Sequence, residues 1–210
     1  DWRTLRTFVN SHDLRTAENL QYVTDRVDVD SFFTWACFEM CIMNDDLRNV
    51  RMYRVPGGKW KYLLYDVEGG GRMRELSVYM LLKPSSADNQ KSSQYFLLNA
   101  LLKVPQMRAK FLKRLAEVIE NSFLYSEKLK PEIERNEALL SQLLPRHFRR
   151  YKVSTVAEWK ENVKTFKRCI RLSPNRVLNL VTKILKVTAD EEERYFTPVR
   201  ARLKVTNASN

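Results

Sequence analysis

The sequence predicts a mainly helical α+β fold with a single β-hairpin near its middle. Three observations carry this. Glycine and proline are scarce, 5 and 7 in 210 residues, too few for the turns of a many-stranded sheet. Apolar residues recur at helical spacing along most of the chain. Around Pro56-Gly57-Gly58-Lys59 a glycine loop separates two aromatic and β-branched runs, the pattern of a hairpin. With 44% hydrophobic and 11% aromatic residues, the chain can bury one sizeable core.

Taken in order, Arg3 to Val9 and Leu14 to Val23 carry helical periodicity, and Asn10 to Asp13 between them can end one helix and cap the next. Asp28 to Ser31 supply capping side chains for a helix that is apolar on most sides, from Phe32 to Cys41, and therefore central to the core. Strands are expected over 50–53 and 60–65, placing the hairpin at about 50–66. A surface loop is expected over 83–89. Helices follow over 95–103, 105–124 (behind a first-turn Pro105), 126–143, 155–171 and 174–187. Residues 1–188 form one domain on this reading. Residues 189–210, with Asp190 to Glu193 and a polar end, form an extension or tail.

The formal net charge is +12, and residues 101–210 hold 24 Lys and Arg against 12 Asp and Glu, so the excess lies in the second half. Such a surface attracts polyanions, phosphates or acidic proteins, although cations at helical spacing also make an ordinary solvated face. Nucleic-acid binding is disfavoured, because no helix-turn-helix spacing, zinc ligands or aromatic RNA-binding motif is present. Cys37, Cys41 and Cys169 suggest buried thiols, with neither a zinc site nor a disulfide framework. No apolar run reaches the roughly 18 residues needed to span a bilayer.

Two acidic clusters bracket the hairpin: Asn44, Asp45, Asp46 and Asn49 before it, Asp66 and Glu68 after it. An antiparallel hairpin returns the chain to its start, so the clusters can share one edge of the fold. Converging carboxylates and amides make the hard, oxygen-only site that Mg²⁺ or Mn²⁺ accepts together with phosphates. Asp and Asn also cap helices and bend turns, so composition alone leaves both interpretations standing.

The run from Asp28 to Gly70 resembles the CotH family of atypical protein kinases. It has a helix ending in an Asn-x-Asp element (Asn44 to Asp46), a following Asn49, a strand ending in Tyr53, a glycine turn, and a strand with Trp60. That strand leads into Tyr65-Asp66-Val67-Glu68, where the family carries Trp-Asp-x-Asp. The stretches 111–123 and 156–177 are similar too, and the similarity spans roughly residues 20–185. The resemblance implies the helical C-lobe of an atypical protein-kinase-like fold, transferring the γ-phosphate of ATP to Ser or Thr of a protein with Mg²⁺ or Mn²⁺. Position by position it implies Asp46 as the catalytic-loop acid with Asn44 beside it. It implies Asp66, Glu68 and Asn49 as metal ligands, and Asn49 and Trp60 at the nucleotide.

The implied setting is a bacterial spore coat or an exported, cell-surface location, with a coat or surface protein as phosphoacceptor. The resemblance leaves the oligomeric state open. No glycine-rich phosphate loop or strand lysine stands before Asp28, so the ATP-gripping half is expected upstream of Asp1 and the fragment alone is expected to be inactive. The alternative is a catalytically inactive module of the same fold that binds at a coat or surface.

Overall fold

A computed structural model describes residues 1–47, 49–72, 75–84 and 94–208. It is mainly helical with one two-stranded antiparallel sheet. The order is α1 (Trp2–Ser11), α2 (Ala17–Thr24), α3 (Val29–Ile42), β1 (Arg51–Tyr53), β2 (Lys61–Leu63), α4 (Leu76–Leu82), α5 (Tyr95–Leu102), α6 (Pro105–Ser122), α7 (Lys130–Tyr151), α8 (Val156–Leu185) and α9 (Thr197–Ala208). Short helical turns cover Val67–Gly69, Tyr125–Leu129, Ala189–Glu191 and Glu192–Phe196.

The core forms around α3. Its N-cap Asp28 accepts the Ser31 N–H, and Phe32, Phe33, Ala36, Cys37, Met40 and Cys41 are all fully buried. A helix apolar on most sides must be covered on most sides, and α4, α6, α8 and the hairpin supply the cover. Phe33 meets Phe111 of α6 edge to face, with ring centroids 5.4 Å apart. All three cysteines are buried thiols outside any disulfide.

The hairpin pairs Arg51 with Leu63, Met52 with Tyr62 and Tyr53 with Lys61. Its period of two sends Tyr62 inward against Phe32 and Trp35, while Arg51, Tyr53, Lys61 and Leu63 face out. Trp60 ties the hairpin to the α2–α3 link: its N–H donates to Arg26 and its carbonyl accepts from Asp28. The strands are shorter than the sequence suggests, because past Leu63 the chain leaves the ladder to form the loop that carries Asp66.

The helices differ from the sequence reading in further places. The helices expected over 155–171 and 174–187 are one, α8, running through Pro174. Proline has no N–H for the Ile170 carbonyl four residues back, and the Ser173 hydroxyl donates to that carbonyl instead, at 3.2 Å. The helix expected to end at 143 continues through Pro145 to Tyr151. Leu76–Leu82, unassigned from sequence, is helical. The loop expected over 83–89 lies, from residue 85 onward, outside the described residues. Residues 189–208, set apart from the sequence as an extension or tail, bring Phe196, Val199 and Leu203 into the same core. Arg108 of α6 holds this segment with two hydrogen bonds to Glu191, at 2.6 and 2.8 Å.

Candidate functional site

α3 ends at Ile42, and Met43 turns the chain in the left-handed conformation (φ 54°). That reversal buries Asn44 beneath the helix it has just left, only 1% exposed. A buried carboxamide must satisfy its polar atoms internally. Its backbone N–H donates to the Glu39 carbonyl at 3.1 Å, and its Nδ2 donates to the Glu39 carboxylate at 2.8 Å. Its Oδ1 then accepts the backbone N–H of Asp46 at 3.1 Å. Asn44 is thus a post between a buried acid and the segment that presents Asp46.

From the other side, Asp66 leaves β2 in the left-handed region (φ 59°, ψ 48°), which Asp tolerates better than most side chains. The Asn49 carboxamide joins the two clusters: Nδ2 donates to Asp46 Oδ2 at 3.0 Å and also to Asp66 Oδ2. The loop after Asp66 is stitched to α3 by the Gly71 N–H, which donates to the Ile42 carbonyl at 2.7 Å. Gly69 sits so close that a Cβ would lie 2.5 Å from Asn44 Oδ1 and 2.9 Å from Asp45 Oδ1. Only glycine fits there. Asp45 faces Arg72 at 4.0 Å.

Glu39 is 2% exposed, and burial pushes its carboxyl up to about 7, against the lowering effect of hydrogen bonds from Asn44 and Trp35. The structure therefore gathers Asn44, Asp46, Asn49 and Asp66 at the open end of the hairpin. Glu68 is exposed on the turn two residues beyond Asp66. Trp60 is at the other end of the hairpin, six residues before Asp66 and at most about 20 Å from it along the chain. There it packs edge-on against Trp2, with Arg54 over its ring.

Among the described residues no group of three or more His, Cys, Asp or Glu side chains is gathered for a metal. The donors present, two carboxylates converging on one carboxamide, are nonetheless all-oxygen once Asn49 turns its Oδ1 inward, and they suit a small hard cation. Sequence reasoning missed Glu39 and the tight fit of Gly69. Glu39 did leave a signal: it is the one charged residue between Ser31 and Met43, and a charge inside a buried helix needs a partner.

A helical protein with paired acids at the mouth of a hairpin is thus the class that fold and site define. The family model for CotH kinase protein matches residues 1–175, and the chain belongs to that family. Membership makes it a kinase-like protein and implies ATP and a protein substrate. No curated protein and no solved structure matches the chain. Among the described residues no helix is long and apolar enough to cross a membrane.

Proposed function

We propose that this chain is the helical lobe of a Ser/Thr protein kinase and that Asp46, Asn44, Asn49 and Asp66 carry the phosphoryl transfer. The observation that supports it best is the Asn49 carboxamide bonded to both Asp46 and Asp66, which joins residues 17 and 20 positions apart. Asp66 and Asn49 hold a Mg²⁺ or Mn²⁺ ion, with Glu68 close enough in sequence to add a carboxylate. The ion, when bound, offsets negative charge on the phosphates of ATP. Asp46 accepts the proton of the attacking Ser or Thr hydroxyl and orients it. Asn44 keeps Asp46 in place through its backbone N–H. Trp60, at the far end of the hairpin, acts in packing. The setting we favour is a bacterial spore coat or surface.

The test is phosphate incorporation from labelled ATP with Mg²⁺ or Mn²⁺ by the full-length protein. Asp46→Ala and Asp66→Ala are expected to lower it by about 100-fold or more while melting as the wild type does. A folded Asp66→Ala protein with full activity overturns the assignment. So does a wild type whose melting temperature does not rise at saturating ATP and Mn²⁺, which leaves a binding module of the same fold.

A further inference from the structure

α7 and the N-terminal half of α8, up to about Phe166, form an antiparallel pair that stands away from the core. None of the described residues of α7 is buried, and its main packing is against α8 and the turn before it. Between the two helices runs an open groove of about 350 Å³, floored by Ile133, Leu140, Trp159, Val163 and Phe166. Two carboxamides, Asn136 and Asn162, stand among these apolar side chains. Leu139 and Leu143 beside it are 57% and 60% exposed.

The charge around the groove is one-sided at its outer end. Residues 138–157 contain Arg146, Arg149, Arg150 and Lys152 and no Asp or Glu. Among the described residues none of these four has a carboxylate partner. Three of the acids nearer the groove are engaged: Glu137 with Lys167 at 2.6 Å, Glu161 with Lys164 at 3.1 Å, and Glu158 in the cap of its own helix. The inner end adjoins the candidate site, because Phe166 lies against Gly71, where a Cβ would come within 2.4 Å of its ring. From Phe166 back to Val156 is ten residues of helix, or about 15 Å.

We infer that this groove docks an acidic segment of a protein. An apolar side chain of that segment sits between Leu140 and Trp159, its carboxylates meet Arg146, Arg149, Arg150 and Lys152, and Asn136 and Asn162 hydrogen-bond its extended backbone. A concave trough edged by amides fits a peptide better than a lipid surface, which asks for a convex apolar face. That the segment belongs to the phosphoacceptor rests on the kinase reading above; the docking does not. About 15 Å corresponds to four or five extended residues, so the acidic run lies about that far or more from the Ser or Thr delivered past Gly71.

The experiment uses this 210-residue chain without nucleotide or metal. A fluorescein-labelled synthetic peptide carrying one Ser, a central Leu and a run of Asp and Glu is titrated by anisotropy against its Asn and Gln counterpart. The acidic peptide is expected to bind at least about tenfold more tightly, and more weakly as salt rises. The exposed double change Arg149→Glu with Arg150→Glu, and separately Leu140→Asp, are each expected to lower affinity about tenfold or more while leaving the melting temperature in place. Equal binding of the two peptides, no binding of either, or unchanged affinity in both variants overturns the proposal. Preference for phosphatidylserine vesicles over the acidic peptide overturns it as well. Tight peptide binding by a full-length protein that transfers no phosphate upholds the docking and sinks only the kinase reading.

Discussion

The carboxamide of Asn44 donates at 2.8 Å to the buried carboxyl of Glu39 and, from its other end, accepts the N–H of Asp46 at 3.1 Å. The one buried charged residue of a core helix is thereby linked to the acid most central to the proposed chemistry. A carboxyl raised from its ordinary 4.5 to about 7 prefers its neutral form in the folded protein. Its stabilising contribution is complete below pH about 4.5 and is lost as pH rises through 7. Wild-type unfolding free energy should therefore fall by about 2–3 kcal/mol more than that of Glu39→Gln between pH 5 and 8.5. Urea titrations of both proteins at the two pH values check this, and parallel declines count against it.

Asn44→Leu removes both bonds at once. It leaves Glu39 buried without its donor and the Asp46 N–H without its acceptor, at a cost of about 2–4 kcal/mol. Asn44→Asp keeps the shape and the acceptor but sets a second acid against Glu39. Both variants should unfold at lower urea than the wild type, and Asn44→Asp should lose more stability at pH 8 than at pH 5. A stable Asn44→Leu protein would mean that the post supports nothing.

Gly69→Ala separates site geometry from fold. Gly69 does not have a left-handed φ, so alanine meets no backbone strain there. It meets Asn44 Oδ1 and Asp45 Oδ1 instead, at 2.5 and 2.9 Å. The expected outcome is a loss of phosphate transfer of about tenfold or more, with a smaller stability loss of about 1–3 kcal/mol from overpacking. Labelled-ATP assays and melting curves on the full-length protein read the two separately. Unaltered transfer would show that the loop can shift without disturbing Asp46.

How much of this was legible follows from where each piece of information resides. α3 and the hairpin were readable because their signals are local: an apolar run behind capping residues, and a glycine turn between aromatic strands. That the acids at the two ends of the hairpin share an edge was readable because antiparallel pairing forces it. The bond from Asn49 to Asp66 depends on a left-handed turn at an aspartate, which no periodicity announces. The unity of α8 rests on one hydroxyl beside one proline. The inward packing of Phe196, Val199 and Leu203 needs partners over 70 residues away, such as α6, and a polar surrounding sequence conceals it.

The proline of α8 gives a prediction that isolates one bond. Ser173→Ala strips the Ile170 carbonyl of its donor inside a buried stretch and should cost about 1–2 kcal/mol. Pro174→Ala restores a backbone N–H to that carbonyl, so adding Ser173→Ala to Pro174→Ala should cost markedly less. A double-mutant cycle in urea is expected to give a coupling of about 0.5–1 kcal/mol. Strict additivity would show that the serine does not stand in for the missing N–H.

The segment after α8 gives the largest expected effect. Phe196, Val199 and Leu203 are each 1% exposed or less, and the family model stops at residue 175, so the core of this chain is completed by residues outside the matched region. Ending the chain after Val187 removes those three side chains and the Arg108 to Glu191 pair together, uncovering apolar surface on α6 and α8. At about 1.5–3 kcal/mol for each buried side chain, the loss is several kcal/mol, comparable to the whole stability of many domains. The shortened chain should therefore melt at least about 10 °C lower, or fail to fold, as read by circular dichroism. Phe196→Ala in the intact chain should lose about 3–5 kcal/mol by itself. A truncated protein that melts with the full chain would show that these contacts contribute nothing to holding the lobe together.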